Sequence, residues 1–162
     1  MLSNNKLYFL IFICLTFLSC ERDDVCIEGT PGTPKLILRF FSADNPTENK
    51  EVTNLTIMAE GKEPYVTFSG DSIAIPLDTE NSFTKYIFNV GHETNSNPKI
   101  DVLQFNYDRN DVYLNRACGI KSEFIFNNEA ITSSIEPEWF KGYQILLDTI
   151  SNENQAHLAI YH

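Results

Sequence analysis

The chain has 162 residues, 12 basic and 22 acidic, for a formal net charge of −10. That length suits one domain with a real core and leaves little for a second. The acidic balance offers no basic stripe to displace counterions from phosphate, which excludes nucleic acid as a partner class.

At the N-terminus, Lys6 precedes a twelve-residue apolar run, Leu7 to Leu18, and Ser19 supplies the small residue that signal cleavage needs. The run is too short to span a bilayer as a mature helix and reads as a secretory signal over residues 1–19. Phe17-Leu18-Ser19-Cys20 resembles the lipobox of bacterial lipoproteins, in which the cysteine takes a diacylglycerol and becomes the new N-terminus. The competing reading is a plain signal cut near Ser19. Two or more acyl chains hold a protein stably on a membrane where one does not, so a lipidated Cys20, palmitate included, would be a permanent resident. The following Glu21-Arg22-Asp23-Asp24 resembles the acidic export signal of surface lipoproteins in Bacteroidota; the alternative is a solvated charge cluster on a periplasm-facing protein. Removing the signal leaves 143 residues with 11 basic and 22 acidic side chains, a net charge of −11. Such a surface does not lie on anionic lipid by charge alone.

Cys26 and Cys118 are the cysteines left in the mature body once Cys14 and Cys20 are set aside. Export permits disulfides and an even pair suggests one bond, against two buried thiols or a metal pair that lacks nearby histidines. In the chain-entropy model a loop of this length is worth about 4–5 kcal/mol. Since Cys26 lies six residues after Cys20, the bond would hold the body within about 20 Å of the anchor.

Residues 20–34 form an acidic, turn-rich tether ending in Glu28-Gly29-Thr30-Pro31-Gly32-Thr33-Pro34. The rest, 35–162, reads as a β-sandwich of about nine strands, all-β and single-domain. Lys35 to Phe41 puts Leu36, Leu38 and Phe40 on one face, and Val52 to Ala59 puts Leu55 and Ile57 inward. Tyr65 to Phe68 and Ile73 to Leu77 follow, split by a Ser69-Gly70-Asp71 turn. Phe83 to Val90 alternates Tyr86, Phe88 and Val90, then a polar turn leads to Ile100 to Tyr107 with Leu103, Phe105 and Tyr107 on one face. Asp108 to Asp111 reads as a hairpin loop before Val112 to Asn115. Cys118 to Phe126 places Cys118, Ile120, Phe124 and Phe126 on a shared core face. Glu136 to Phe140 could open a short helix with Pro137 in its first turn. Tyr143 to Ile150 and Ala156 to Tyr161 complete the set.

Four segments, Cys26 to Leu36 (CIEGTPGTPKL), Ser72 to Leu77 (SIAIPL), Arg116 to Lys121 (RACGIK) and Ala156 to Ile160 (AHLAI), are together similar to an uncharacterised family of small outer-membrane lipoproteins of Bacteroidota. The resemblance spans essentially the whole mature chain. It implies the compartment and points to an integral β-barrel of the outer membrane as a partner, and it carries no activity.

Catalytic motifs are missing from the chain: no nucleophile elbow, no paired zinc-ligand helix, no phosphate-cradling glycine loop. His92-Glu93 continues as Thr94-Asn95-Ser96, without a second ligand. His157 and His162 read as edge or surface residues, the latter on a mobile end. Asp108, Asn110 and Asp111 could offer oxygens to calcium, but turn chemistry explains them as well. No cofactor or metal is expected, and the reading is non-enzymatic. Arg109, Tyr113 and Arg116 are candidates for an anion or glycan contact, against the reading that the arginines pair with carboxylates and pack their stems on tyrosine. Asp71-Ser72-Ile73 and Asp148-Thr149-Ile150 resemble the Asp-Ser/Thr-apolar sequon of O-glycosylation in Bacteroidota, making Ser72 and Thr149 candidate acceptors. The expectation is an outer-membrane lipoprotein facing the cell surface, a binding or accessory module. The alternatives are a surface glycan- or ligand-binding module and a hydrolase with an unrecognised site.

Overall fold

The computed structural model describes residues 25–63, 65–91, 98–134 and 136–162. Among the described residues ten strands run in chain order: β1 (Leu36–Phe41), β2 (Val52–Ala59), β3 (Val66–Gly70), β4 (Ser72–Ile75), β5 (Phe83–Val90), β6 (Lys99–Asn115), β7 (Gly119–Ser133), β8 (Gly142–Ile145), β9 (Thr149–Ile150) and β10 (Leu158–Tyr161). Among the described residues there is no helix. The strands form a four-stranded sheet, β4-β1-β10-β8, and a six-stranded sheet, β3-β2-β5-β6-β7-β9. β1 and β10 pair in parallel, Leu38 opposite Leu158 and Phe40 opposite Ile160, while β4 and β8 flank them antiparallel. In the larger sheet β2 pairs antiparallel with β3 and with β5, as do β5 with β6 and β7 with β9.

The inner faces follow from the period-two alternation of apolar residues. Leu36, Leu38 and Phe40 of β1 and Leu158 and Ile160 of β10 are fully buried, as are Phe88, Leu103, Phe105, Tyr107 and Phe124 from the larger sheet. Phe40 and Phe68 bring the two sheets together at 6.2 Å between ring centroids. Trp139 joins them: its ring lies 5.9 Å from Phe40 and stacks on Phe88 at 6.1 Å. The all-β sandwich expected from the alternation is the observed fold.

By its contacts the chain divides into two compact units. The larger, Pro31–Val112 with Lys121–His162, contains the core of both sheets. The described part of the smaller, residues 25–30 with Tyr113–Ile120, holds the disulfide between Cys26 and Cys118, whose Cα atoms are 4.8 Å apart.

Several expected elements differ. Asp108 to Asp111 is no hairpin loop but part of β6, and the chain turns at Arg116-Ala117-Cys118, where Asn115 Oδ1 accepts the amides of Ala117 (2.9 Å) and Cys118 (2.7 Å). Polar residues are tolerated in that strand because they pair laterally: Arg109 Nε meets Asp111 Oδ1 at 3.1 Å, and Ser122 Oγ donates to the same oxygen at 2.8 Å. Cys118 lies in the turn and Ile120 is 65% exposed, so the inward parity of β7 takes effect only from Ser122, Phe124 and Phe126. Tyr143 to Ile150 is two strands, β8 in the small sheet and β9 in the large one. Glu136 to Phe140 forms bends and no helix, for a reason that lies in Asp101.

Candidate functional site

Asp101 occupies an inward position of β6, with the same parity as Leu103, Phe105 and Tyr107, and is fully buried. A carboxylate there is tolerable only with donors around it. It has three: the backbone amides of Glu138 (2.8 Å, to Oδ1), Trp139 (2.8 Å) and Phe140 (2.7 Å, both to Oδ2). The loop after β7 is thus wrapped on the Asp101 oxygens, which competes with the turn of helix that its proline invites, and the wrap delivers Trp139 to the core. No catalytic or metal-binding motif of the sequence includes this residue. Its signal was present: an aspartate in register with an unbroken apolar alternation.

The histidines are also structural here. His157 is buried rather than at a surface, with Nδ1 accepting the amide of Ile37 at 3.0 Å while its own amide donates to the Ile37 carbonyl at 2.9 Å. Burial pushes its imidazole below the ordinary histidine range, with the Asn152 backbone and Glu153 acting the other way. His162 is not a mobile end. Its ring packs against Trp139 at 4.9 Å, its amide donates to Phe41 (3.1 Å), and its carbonyl accepts from Lys50 Nζ (2.9 Å) and from the amide of Ala43 (3.2 Å). Burial lowers its pKa too. His92 and Glu93 lie outside the described residues. Among the described residues no group of three or more His, Cys, Asp or Glu side chains is placed to hold a metal.

The outer side of the small sheet carries an open groove of about 640 Å³, floored by Ile37, Arg39 and Phe41 and walled by Ser72 and Glu153. Arg39 lies over the Phe41 ring at 5.8 Å, and Phe41 meets Tyr161 at 6.0 Å with planes 43° apart. Tyr161 in turn donates from its hydroxyl to Gln144 Oε1 at 2.9 Å. A second cavity of about 550 Å³ sits at the 76–81 turn. There Asp78 Oδ1 accepts the amides of Glu80 (2.7 Å) and Asn81 (3.3 Å). The Asn81 side-chain hydrogen bond, foremost, holds the Asp78 carboxyl below its usual range.

The candidate residues from the sequence are dispersed. Cys20 and Glu21, Arg22, Asp23 and Asp24 lie outside the described residues. Ser72 opens β4 and its hydroxyl donates to the Leu38 carbonyl at 3.2 Å; Thr149 is in β9 and donates to Asp148 Oδ1 at 3.0 Å. Arg109 belongs to the larger unit and is paired with Asp111. Tyr113, 66% exposed, and Arg116 belong to the smaller one.

The chain belongs to the family of unknown function DUF6452, whose model matches residues 54–162. The match takes in Cys118 and Asp101 and stops short of Cys26 and Cys20. No curated protein and no solved structure is detectably similar.

Proposed function

We propose that the protein is a lipid-anchored module of the bacterial outer membrane that binds or supports another envelope component, an integral β-barrel protein first among them. The Cys26–Cys118 bond carries the reading. It begins six residues after Cys20, so once Cys20 is acylated the folded chain is held within about 20 Å of the lipid. A body so tethered meets barrels and their loops. The finer resemblance to small lipoproteins of Bacteroidota, surface exposure through Glu21 to Asp24 and glycosylation at Ser72 or Thr149 are part of the same proposal. Both hydroxyls sit beside an aspartate as that sequon requires.

A non-enzymatic role is supported by the engagement of both described histidines in backbone hydrogen bonds and core contacts, which leaves neither open as a general base. The glycan-binding reading draws on the groove beside Arg39 and Phe41. Its aromatic pair is tilted by 43°, short of the coplanar platform that sugar stacking favours. The deciding experiment is crosslinking in intact cells, recovery through a C-terminal tag and mass spectrometry. The expected outcome is one barrel protein in near-equal amount; recovery of the lipoprotein alone would move the reading to the glycan groove.

A further inference from the structure

Isolated exposed apolar side chains are ordinary, but a group of them in one small unit is not. The described part of the smaller unit, residues 25–30 and Tyr113–Ile120, carries Val25 (77% exposed), Ile27 (77%), Tyr113 (66%) and Ile120 (65%). The only charged side chains of residues 25–30 and Tyr113–Ile120 are Glu28 and Arg116, so this part is neutral within a mature chain of net charge −11, while Glu21-Arg22-Asp23-Asp24 between it and Cys20 carries −2. The neutral part also satisfies its own backbone where the chain turns. The Ile27 carbonyl accepts from Thr30 N (3.1 Å) and Oγ1 (2.7 Å), and Asn115 Oδ1 accepts the amides of Ala117 and Cys118. Satisfied turns, bare aliphatic tips, one tyrosine and no net charge suit the interfacial layer of a bilayer, where unpaired polar groups are penalised and tyrosine sits at headgroup level.

We propose that this disulfide-closed unit seats in the lipid interface, with Val25, Ile27, Tyr113 and Ile120 entering the headgroup–acyl boundary. The inference rests on the lipid-anchor reading, because the chain before Val25 ends at Cys20 only five residues away and so brings the unit to the bilayer. The occupant is lipid rather than protein: Val25 and Ile27 follow the anchor by five and seven residues, the disulfide ties the Tyr113–Ile120 segment to them, and residues 25–30 with Tyr113–Ile120 add no net charge for anionic headgroups to repel. The acyl chains supply persistence, and the apolar side chains set how the unit lies.

The test uses full-length protein purified from membranes and reconstituted in zwitterionic phosphatidylcholine vesicles, with and without lipids brominated along the acyl chain. Trp139 is the only native tryptophan and is buried, so the wild type reports the background. In a Tyr113→Trp variant, the emission contributed by position 113, taken as variant minus wild type, should fall about two-fold or more with brominated lipid, as expected for an indole within interfacial depth. The wild type should barely change. Flotation and the mass of the Cys20 peptide are read on the same samples. An acylated, floating protein whose position-113 indole is no more quenched than Trp139 overturns the seating alone and points to a protein partner for this surface. An unacylated Cys20 with no flotation overturns the anchor reading, and the seating with it.

Discussion

A buried carboxylate is costly unless hydrogen-bond donors meet it, and Asp101 is met by three backbone amides from one loop. Truncating it strands those amides in the core beside Trp139. Each unpaired buried group costs about 1–3 kcal/mol, so Asp101→Ala should lose at least about 3 kcal/mol of stability. Asp101→Asn keeps one acceptor oxygen and should fall between that variant and the wild type. Urea unfolding followed by Trp139 emission measures both, and Asp101→Ala within about 1 kcal/mol of wild type would refute this account of the loop. The tyrosine hydroxyls obey the same rule more cheaply. Tyr86 donates to the Pro76 carbonyl at 2.6 Å and Tyr107 to the Asp78 carbonyl at 2.8 Å, so two core rings tie down the loop between β4 and β5. Burial, with Tyr107 nearby, raises the Tyr86 pKa to about 12, so the phenol remains a donor throughout the physiological range.

At the scale of elements, the apolar alternation located nearly every strand, because parity is a local property that a single sequence displays. Sheet membership is not local. Nothing in Tyr143 to Ile150 says that β8 joins the small sheet while β9 crosses to the large one. Asp108, Arg109, Asn110 and Asp111 have turn composition and read as a hairpin tip, yet the pairing of Arg109 and Ser122 with Asp111 lets the segment extend β6. The crossing from β3 to β4 does carry a local mark. Gly70 has φ +148°, and a Cβ built there would lie 2.9 Å from the tip of the Phe68 ring, which packs on Phe40. The next residue, Asp71, accepts the Phe40 amide at 2.8 Å through its carbonyl. Gly70→Ala should therefore strain the backbone and displace Phe68, lowering stability by about 1–3 kcal/mol. The readout is a lower urea midpoint at unchanged slope; an unchanged midpoint would mean that the crossing adapts without cost.

For the whole molecule, acidity and the histidines set the response to pH, and here the sequence misled. His157 and His162 look peripheral because a polar residue near a chain end usually is. What buries His157 and packs the half-buried His162 against the core is the parallel pairing of β1 with β10, a long-range contact with no sequence signature, which seats His157 beside Ile37 and His162 beside Phe41 and Trp139. Both imidazoles have pKa values depressed by burial, so the folded state resists protonation that the unfolded chain accepts near its ordinary pKa of 6.5. Below that value the unfolded state binds more protons, and stability falls as pH falls. Their contribution is whole above pH 6.5 and is lost downward toward their folded pKa values, with the depressed Asp78 carboxyl adding its loss only below its ordinary 3.8. Melting temperature should thus decline between about pH 7.5 and pH 5, a window in which free carboxylates hardly titrate. His162→Phe preserves an aromatic ring against Trp139 and removes one of the two titrations, so its profile should be visibly flatter than the wild type's. A wild-type melting temperature constant across that window would mean that the histidines are more open to water than their packing implies. It would also reopen His157 as a base for the hydrolase reading.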